Sequence, residues 1–175
     1  MRSMRLVIVI VAVSLLTACG FKLRNSNPVS GRALPFATIS LSLPVQSEFY
    51  AQVQTAIEAS ASTRVVTDAG KADAILTVLS DTSEKSILSL SAAGRAREFQ
   101  LVRNFKFRVH TSQQADYVPV SQISVRRTMT FSDDLVLSKE SEEAVIWADI
   151  QKDLISQLMR RILAAKAKPV APAED

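Results

Sequence analysis

Between Glu98 and His110 the side chains alternate with a period of two. Phe99, Leu101, Phe105, Phe107 and Val109 fall on one side. Glu98, Gln100, Asn104, Lys106, Arg108 and His110 fall on the other, with Val102 out of place. Successive side chains of a strand point to opposite faces, so this is a half-buried β-strand. Its apolar face needs a cover, and its polar face meets water or a partner. After a turn near Gln113-Gln114-Ala115-Asp116, the stretch Tyr117 to Phe131 repeats the pattern, with Ile123, Val125, Met129 and Phe131 opposite Gln122, Ser124, Arg126, Thr128 and Thr130.

The neighbouring segments supply further strands and the cover. Phe36 to Leu43 alternates, with Ile39, Leu41 and Leu43 on one side, and Arg64 to Thr67 is a short strand. Residues 73 to 90 are rich in Ile, Leu, Val, Thr and Ser and read as a long strand, bulged near Asp81-Thr82-Ser83. Ser91 to Ala96, with Gly94, forms a hairpin loop. Residues 45 to about 60 place Phe49, Val53, Ala56 and Ile57 at helical spacing, with Pro44 in the first turn. In the last helix Ser138 is the expected N-cap, and Ile146, Ile150, Leu154, Leu158 and Ile162 form an i, i+4 row. Glu140, Glu142 and Glu143 near its start and Arg160 and Arg161 near its end suit the helix dipole.

This order predicts an α+β fold. It is a two-layer sandwich, a mostly antiparallel sheet of four to five strands with both helices on one face. A helix on each face would require both strand faces to be apolar, and they are not. The opposite face is left polar and uncovered.

Little in the chain supports catalysis. The sole histidine, His110, falls on a polar strand face and reads as solvent-exposed, with no triad around it. Four scattered glycines form no phosphate loop, and no His/Cys/Asp cluster has metal-ligand spacing. Asp133-Asp134 and the glutamates of the last helix read as a loop pair and a dipole-matched helix start. The chain therefore reads as a binding or assembly module, without enzymatic activity or cofactor. A periplasmic hydrolase is disfavoured by the missing nucleophile–base pair.

The N-terminus fixes the compartment. Arg2 and Arg5 precede the apolar run Leu6 to Leu16, too short for a stable bilayer span, and Leu16-Thr17-Ala18-Cys19 closes it with the only cysteine. The order resembles a bacterial lipoprotein signal, in which the cysteine is alkylated by diacylglycerol, the chain is cut before it and the new amine is acylated. Several acyl chains hold a protein lastingly where one does not. Gly20, where an aspartate resembles an inner-membrane retention signal, favours the outer membrane. The expected organisation is a signal peptide (1–18), a lipidated tether (19–34), one α+β domain (35–166) and a disordered tail (167–175). Arg2 and Arg5 are two of the 21 Lys and Arg residues, and their loss with the leader leaves 19 against 17 Asp and Glu. That balance gives no argument for nucleic acid binding.

Three segments carry a family resemblance: Cys19-Gly20-Phe21-Lys22-Leu23-Arg24 after the signal, Glu98-Phe99-Gln100-Leu101 opening the central strand, and Leu135-Val136-Leu137-Ser138-Lys139-Glu140 at the last helix. Together they resemble the LPS-assembly lipoprotein LptE family. The resemblance implies an outer-membrane lipoprotein, lipid-anchored on the periplasmic side. It implies a plug that occupies the lumen of the β-barrel LptD, assists its assembly and contacts lipopolysaccharide. The alternative is an auxiliary outer-membrane lipoprotein of a lipid or ABC-type transport system, without a barrel partner. Arg95 and Arg97 at the hairpin and Lys139 at the helix start become candidate contacts for lipopolysaccharide phosphates, provided that hairpin and helix start share one end of the sandwich. Arg126, with Arg127 beside it, is a further candidate. Each arginine reads equally as a solubilising surface charge.

Overall fold

The computed structural model describes residues 34–59, 63–131, 136–165 and 169–170, with backbone alone at 136–138. The leader, Cys19 and the tether up to residue 33, and residues 171–175 of the tail, lie outside the described residues. The elements are β1 (Thr38–Ser42), α1 (Glu48–Glu58), β2 (Arg64–Val65), a 3-10 turn (Ala69–Lys71), β3 (Ala74–Leu90), β4 (Ala96–His110), β5 (Asp116–Thr130) and α2 (Val136–Leu163).

The five strands form one sheet in the order β2-β1-β3-β4-β5. β1 runs parallel to both neighbours, while β3, β4 and β5 are antiparallel. A parallel pair needs a crossover, and α1 supplies it between β1 and β2. The expected α+β sandwich is observed. Phe49 of α1 meets Phe105 edge-on at 5.5 Å, and Ile150, Leu154, Leu158, Met159 and Ile162 of α2 are buried in the same core as Leu101, Phe105, Phe107 and Val109. Both helices therefore cover one face.

Local sequence chemistry sets the element ends. Ser47 caps α1, its Oγ accepting from the Tyr50 N–H at 3.1 Å. Pro44 thus precedes the helix instead of sitting in its first turn; its carbonyl accepts from the backbone N–H and hydroxyl of Ser47. α2 starts at Val136, so Ser138 lies inside the first turn and is not the cap. Asp73 joins the starts of β1 and β3, accepting from the Thr38 hydroxyl at 2.9 Å and from the Thr38 and Ala37 N–H groups. Those bonds, the Thr38 hydroxyl first, hold its carboxyl below the usual carboxylate range. The β4–β5 turn places Gln114 at positive φ, and the β3–β4 turn does the same with Gly94.

The bulges of β3 differ from the expected position. Register shifts fall between Val78 and Ser80 and again between Ile87 and Leu90, not at Asp81-Thr82-Ser83. The first shift changes which residues face the helices. Val78 pairs with Phe107, but beyond the bulge Asp81 pairs with Phe105, Ser83 with Arg103 and Lys85 with Leu101. Directly opposed residues share a face, so the helix side of β3 turns polar there. Pairing of β3 with β1 ends at Thr77. Leu79, Ile87, Leu88 and Leu90 are exposed along the remainder.

His110 is a correction. It lies on the open side opposite Ile75, yet it is only 5% exposed. Nδ1 lies 2.7 Å from the Thr111 carbonyl, and Nε2 lies 2.8 Å from the Thr77 hydroxyl. A carbonyl only accepts, so Nδ1 carries the hydrogen, and Nε2 shares a hydrogen bond with the Thr77 hydroxyl. The ring is a satisfied structural group. Val170, in the stretch read as tail, exchanges two backbone hydrogen bonds with Asp116, the residue paired with His110.

Phe105 is the centre of this core, wholly buried between Phe49 and Phe107. Phe105→Ala is expected to cost about 3–5 kcal/mol, read from the denaturant midpoint. A loss under about 1 kcal/mol would contradict the packing described.

Candidate functional site

The hairpin between β3 and β4 and the start of α2 occupy the same end of the sheet. β5 ends opposite Glu98, and the Phe131 N–H donates to the Arg97 carbonyl at 2.8 Å, beside the hairpin. The chain enters α2 five residues later. From there α2 is tied to the strands. Lys85 Nζ of β3 donates to Glu143 Oε2 at 2.6 Å, and the Trp147 indole N–H donates to Glu143 Oε1 at 3.3 Å. Lys85 also lies over the Phe99 ring at 4.5 Å, and Phe99 meets Phe131 edge-on at 5.3 Å. The end of the sandwich is thus an aromatic pair closed by a cation and a carboxylate. The condition set for the candidate residues, a shared end for hairpin and helix start, is met.

The four candidates are not on one face. Arg95 lies in the exposed hairpin, and Arg97 stands two residues into β4, also exposed. Lys139 lies in the first turns of α2, with Nζ bonded to Glu142 at 2.6 Å and its side chain 15% exposed. Arg126 lies on the open face, paired with Val102, away from the helices. Arg97 and Arg126 make no side-chain hydrogen bond or ion pair among the described residues. Arg127 points the other way. It donates to Asp149 at 2.8 Å and Asp153 at 3.2 Å on α2, and these two carboxylates raise its pKa further. It clamps the helix to β5.

Arg103 was invisible to the alternation pattern. It stands in the helix-facing row between Leu101 and Phe105, only 13% exposed. Nε and one terminal nitrogen bind Asp81 at 2.9 and 2.7 Å, its other terminal nitrogen donates to Gln151 of α2, and its plane covers the Phe49 ring at 4.6 Å. Its signal in the sequence was a cation at an odd position of an otherwise apolar odd-numbered row. Among the described residues no group of His, Cys, Asp and Glu is placed to hold a metal ion. No helix among them is long and apolar enough to cross a membrane.

A family model described as "LptE: Lipopolysaccharide-assembly" matches residues 36–162. Among solved structures, an uncharacterized lipoprotein B from Nitrosomonas europaea is 32% identical with a TM-score of 0.68, covering 83% of this chain and 91% of its own. A minor lipoprotein from Acinetobacter baumannii (20% identity, TM-score 0.60, covering 77% and 98%) shares the fold. So does the rare lipoprotein B from Shewanella oneidensis (22%, 0.55, 73% and 91%). No curated protein matches the chain.

The Lys85 clamp makes the helix start sensitive to acid. The Lys85 hydrogen bond, helped by the Trp147 N–H and opposed by burial, holds the Glu143 carboxyl below the usual range. A depressed carboxylate stabilises the fold above its unfolded pKa, and this is lost as pH falls through the folded value. The melting temperature of Glu143→Gln is therefore expected to lie below wild type at pH 7, with the gap closing below about pH 4. A gap independent of pH would contradict the clamp.

Proposed function

The chain belongs to the LptE lipopolysaccharide-assembly family, and from that premise we propose that it works as a lipid-anchored plug within an outer-membrane β-barrel, assisting the barrel's assembly and contacting lipopolysaccharide. In this reading Cys19 carries the acyl chains and holds the domain on the periplasmic side of the outer membrane. The LptD-like barrel receives the domain. Large barrels have polar interiors and can be closed by a separate body. The open face offers Gln100, Asn104, Gln122, Ser124 and Thr128, a row suited to such an interior.

The lipopolysaccharide contact rests on one observation, the convergence of the hairpin and the start of α2. Arg95, Arg97 and Lys139 flank that end, and Arg126 lies on the open face behind it. Guanidinium and ammonium groups bind phosphate by charge-assisted hydrogen bonds and compete with the divalent cations that bridge neighbouring lipids. Lys139 engages by exchanging Glu142 for the ligand.

Reversing Arg95, Arg97 and Lys139 to glutamate together is expected to weaken lipopolysaccharide binding by about tenfold or more, the loss of at least one charge-assisted bond. The circular-dichroism melt is expected to stay within a few degrees of wild type, because Arg95 and Arg97 are exposed and Lys139 is paired with Glu142 three residues on, a local pair that adds little stability. Unchanged affinity would overturn the charge cluster.

A further inference from the structure

Midway along α2, away from the hairpin, a cleft of about 590 Å³ opens between the start of α1, α2 and the polar stretch of β3 and β4. This lies within the range of small-molecule sites, about 300–1,000 Å³. A continuous hydrogen-bonded chain forms its wall. Asp81 holds Arg103; Arg103 donates to Gln151 Oε1 at 3.0 Å; Gln151 Nε2 donates to Gln52 Oε1 at 3.1 Å; Gln52 Nε2 donates to Glu48 at 2.7 Å. Each amide nitrogen carries two hydrogens and uses one, so each retains a donor. Ser83 and Lys152, also in the lining, have no side-chain partner among the described residues. Trp147, the only tryptophan of the chain, completes the wall. Its N–H is committed to Glu143, which Lys85 holds in turn, so the indole is fixed.

The chemistry of this wall selects its ligand. The Arg103 charge is taken up by Asp81, which leaves Lys152 balanced by Glu48, so an isolated phosphate finds no excess of cations. The amides and hydroxyl interrupt any apolar track for an acyl chain. Oriented amide donors, a carboxylate, an ammonium and an aromatic wall together match a ring bearing hydroxyls on its rim and polarised C–H bonds on its faces. Such C–H bonds are attracted to the negative face of an aromatic ring. We propose that this cleft is a saccharide-binding site, with Trp147 as its aromatic wall and Gln52, Gln151 and Lys152 as its polar contacts. It rests on the function proposed above only for the source of the sugar, the saccharide part of lipopolysaccharide.

Trp147 reports on the site without background. Full-length protein in detergent is titrated with intact lipopolysaccharide and, separately, with the lipid-free oligosaccharide released from it by mild acid. The oligosaccharide is expected to shift Trp147 emission saturably. Lys152→Ala and Gln52→Leu, each checked by its melt, are expected to weaken that response about tenfold, the loss of one hydrogen bond. The triple reversal of Arg95, Arg97 and Lys139 is expected to leave it unchanged. Intact lipopolysaccharide binding without a response to the oligosaccharide, or with Lys152→Ala and Gln52→Leu both at wild-type affinity, overturns the saccharide site and spares the charge cluster. A response to the oligosaccharide without binding of the intact lipid keeps the site and removes the proposed lipopolysaccharide contact. No response to either removes both.

Discussion

Length matching between a long sheet and its cover governs this molecule. Strands of 15 to 17 residues reach about 50 Å, and their helix-facing row is apolar along much of that length. An 11-residue helix reaches only about 16 Å, so α1 covers one end. The 28 residues of α2, about 42 Å, carry the rest. Apolar packing holds the part of α2 from Ile150 onward. Earlier, where β3 has turned polar, Lys85–Glu143 ties it down, and Arg127 with Asp149 and Asp153 holds the middle. These pairs are partly exposed and add modest stability, but they fix where the helix start lies relative to the hairpin.

The bulge at Leu79 and the two helix-facing arginines follow from the same geometry. A one-residue slip sends the following side chains to the opposite faces, so the shift after Val78 brings Asp81 round to meet Arg103. That pair lets a cation stand in the apolar row, stacked on Phe49, and passes its remaining donor to Gln151. A polar seam thereby runs between the layers without an unpaired buried charge. The cleft lined by Trp147 opens along this seam, while the open face of the sheet stays independent of it.

The sandwich was legible because β4 and β5 alternate cleanly and α2 carries an unbroken i, i+4 row. The parts that were not legible depend on neighbours that no local pattern reveals. Arg127 read equally as a surface charge until Asp149 and Asp153 are seen opposite it, and Arg103 has no place in the alternation until Asp81 is seen to hold it. His110 read as exposed, since alternation gives the face of a residue but not how deeply its end of that face is covered. The bulges of β3 fell at Leu79 and near Leu88, because register is set by pairing with β4 and the apolar and polar residues of 73–90 satisfy several registers. Ser138 was displaced as a cap because α2 already begins at Val136, two residues before it. At the candidate site, the sequence supplied Arg95, Arg97, Lys139 and Arg126 but not their faces; Arg126 looks away from α2.

The proposed role, a body enclosed by a barrel with an anionic lipid at one end, draws support from a covered face, an opposite face of amides, hydroxyls and charges, and a charged end formed by hairpin and helix start. Purification of the full-length chain from detergent-solubilised outer membranes tests that claim most directly. The account predicts one large β-barrel protein recovered in equal amount with it. Recovery of the chain alone, or with an inner-membrane ATPase complex in place of a barrel, would contradict it.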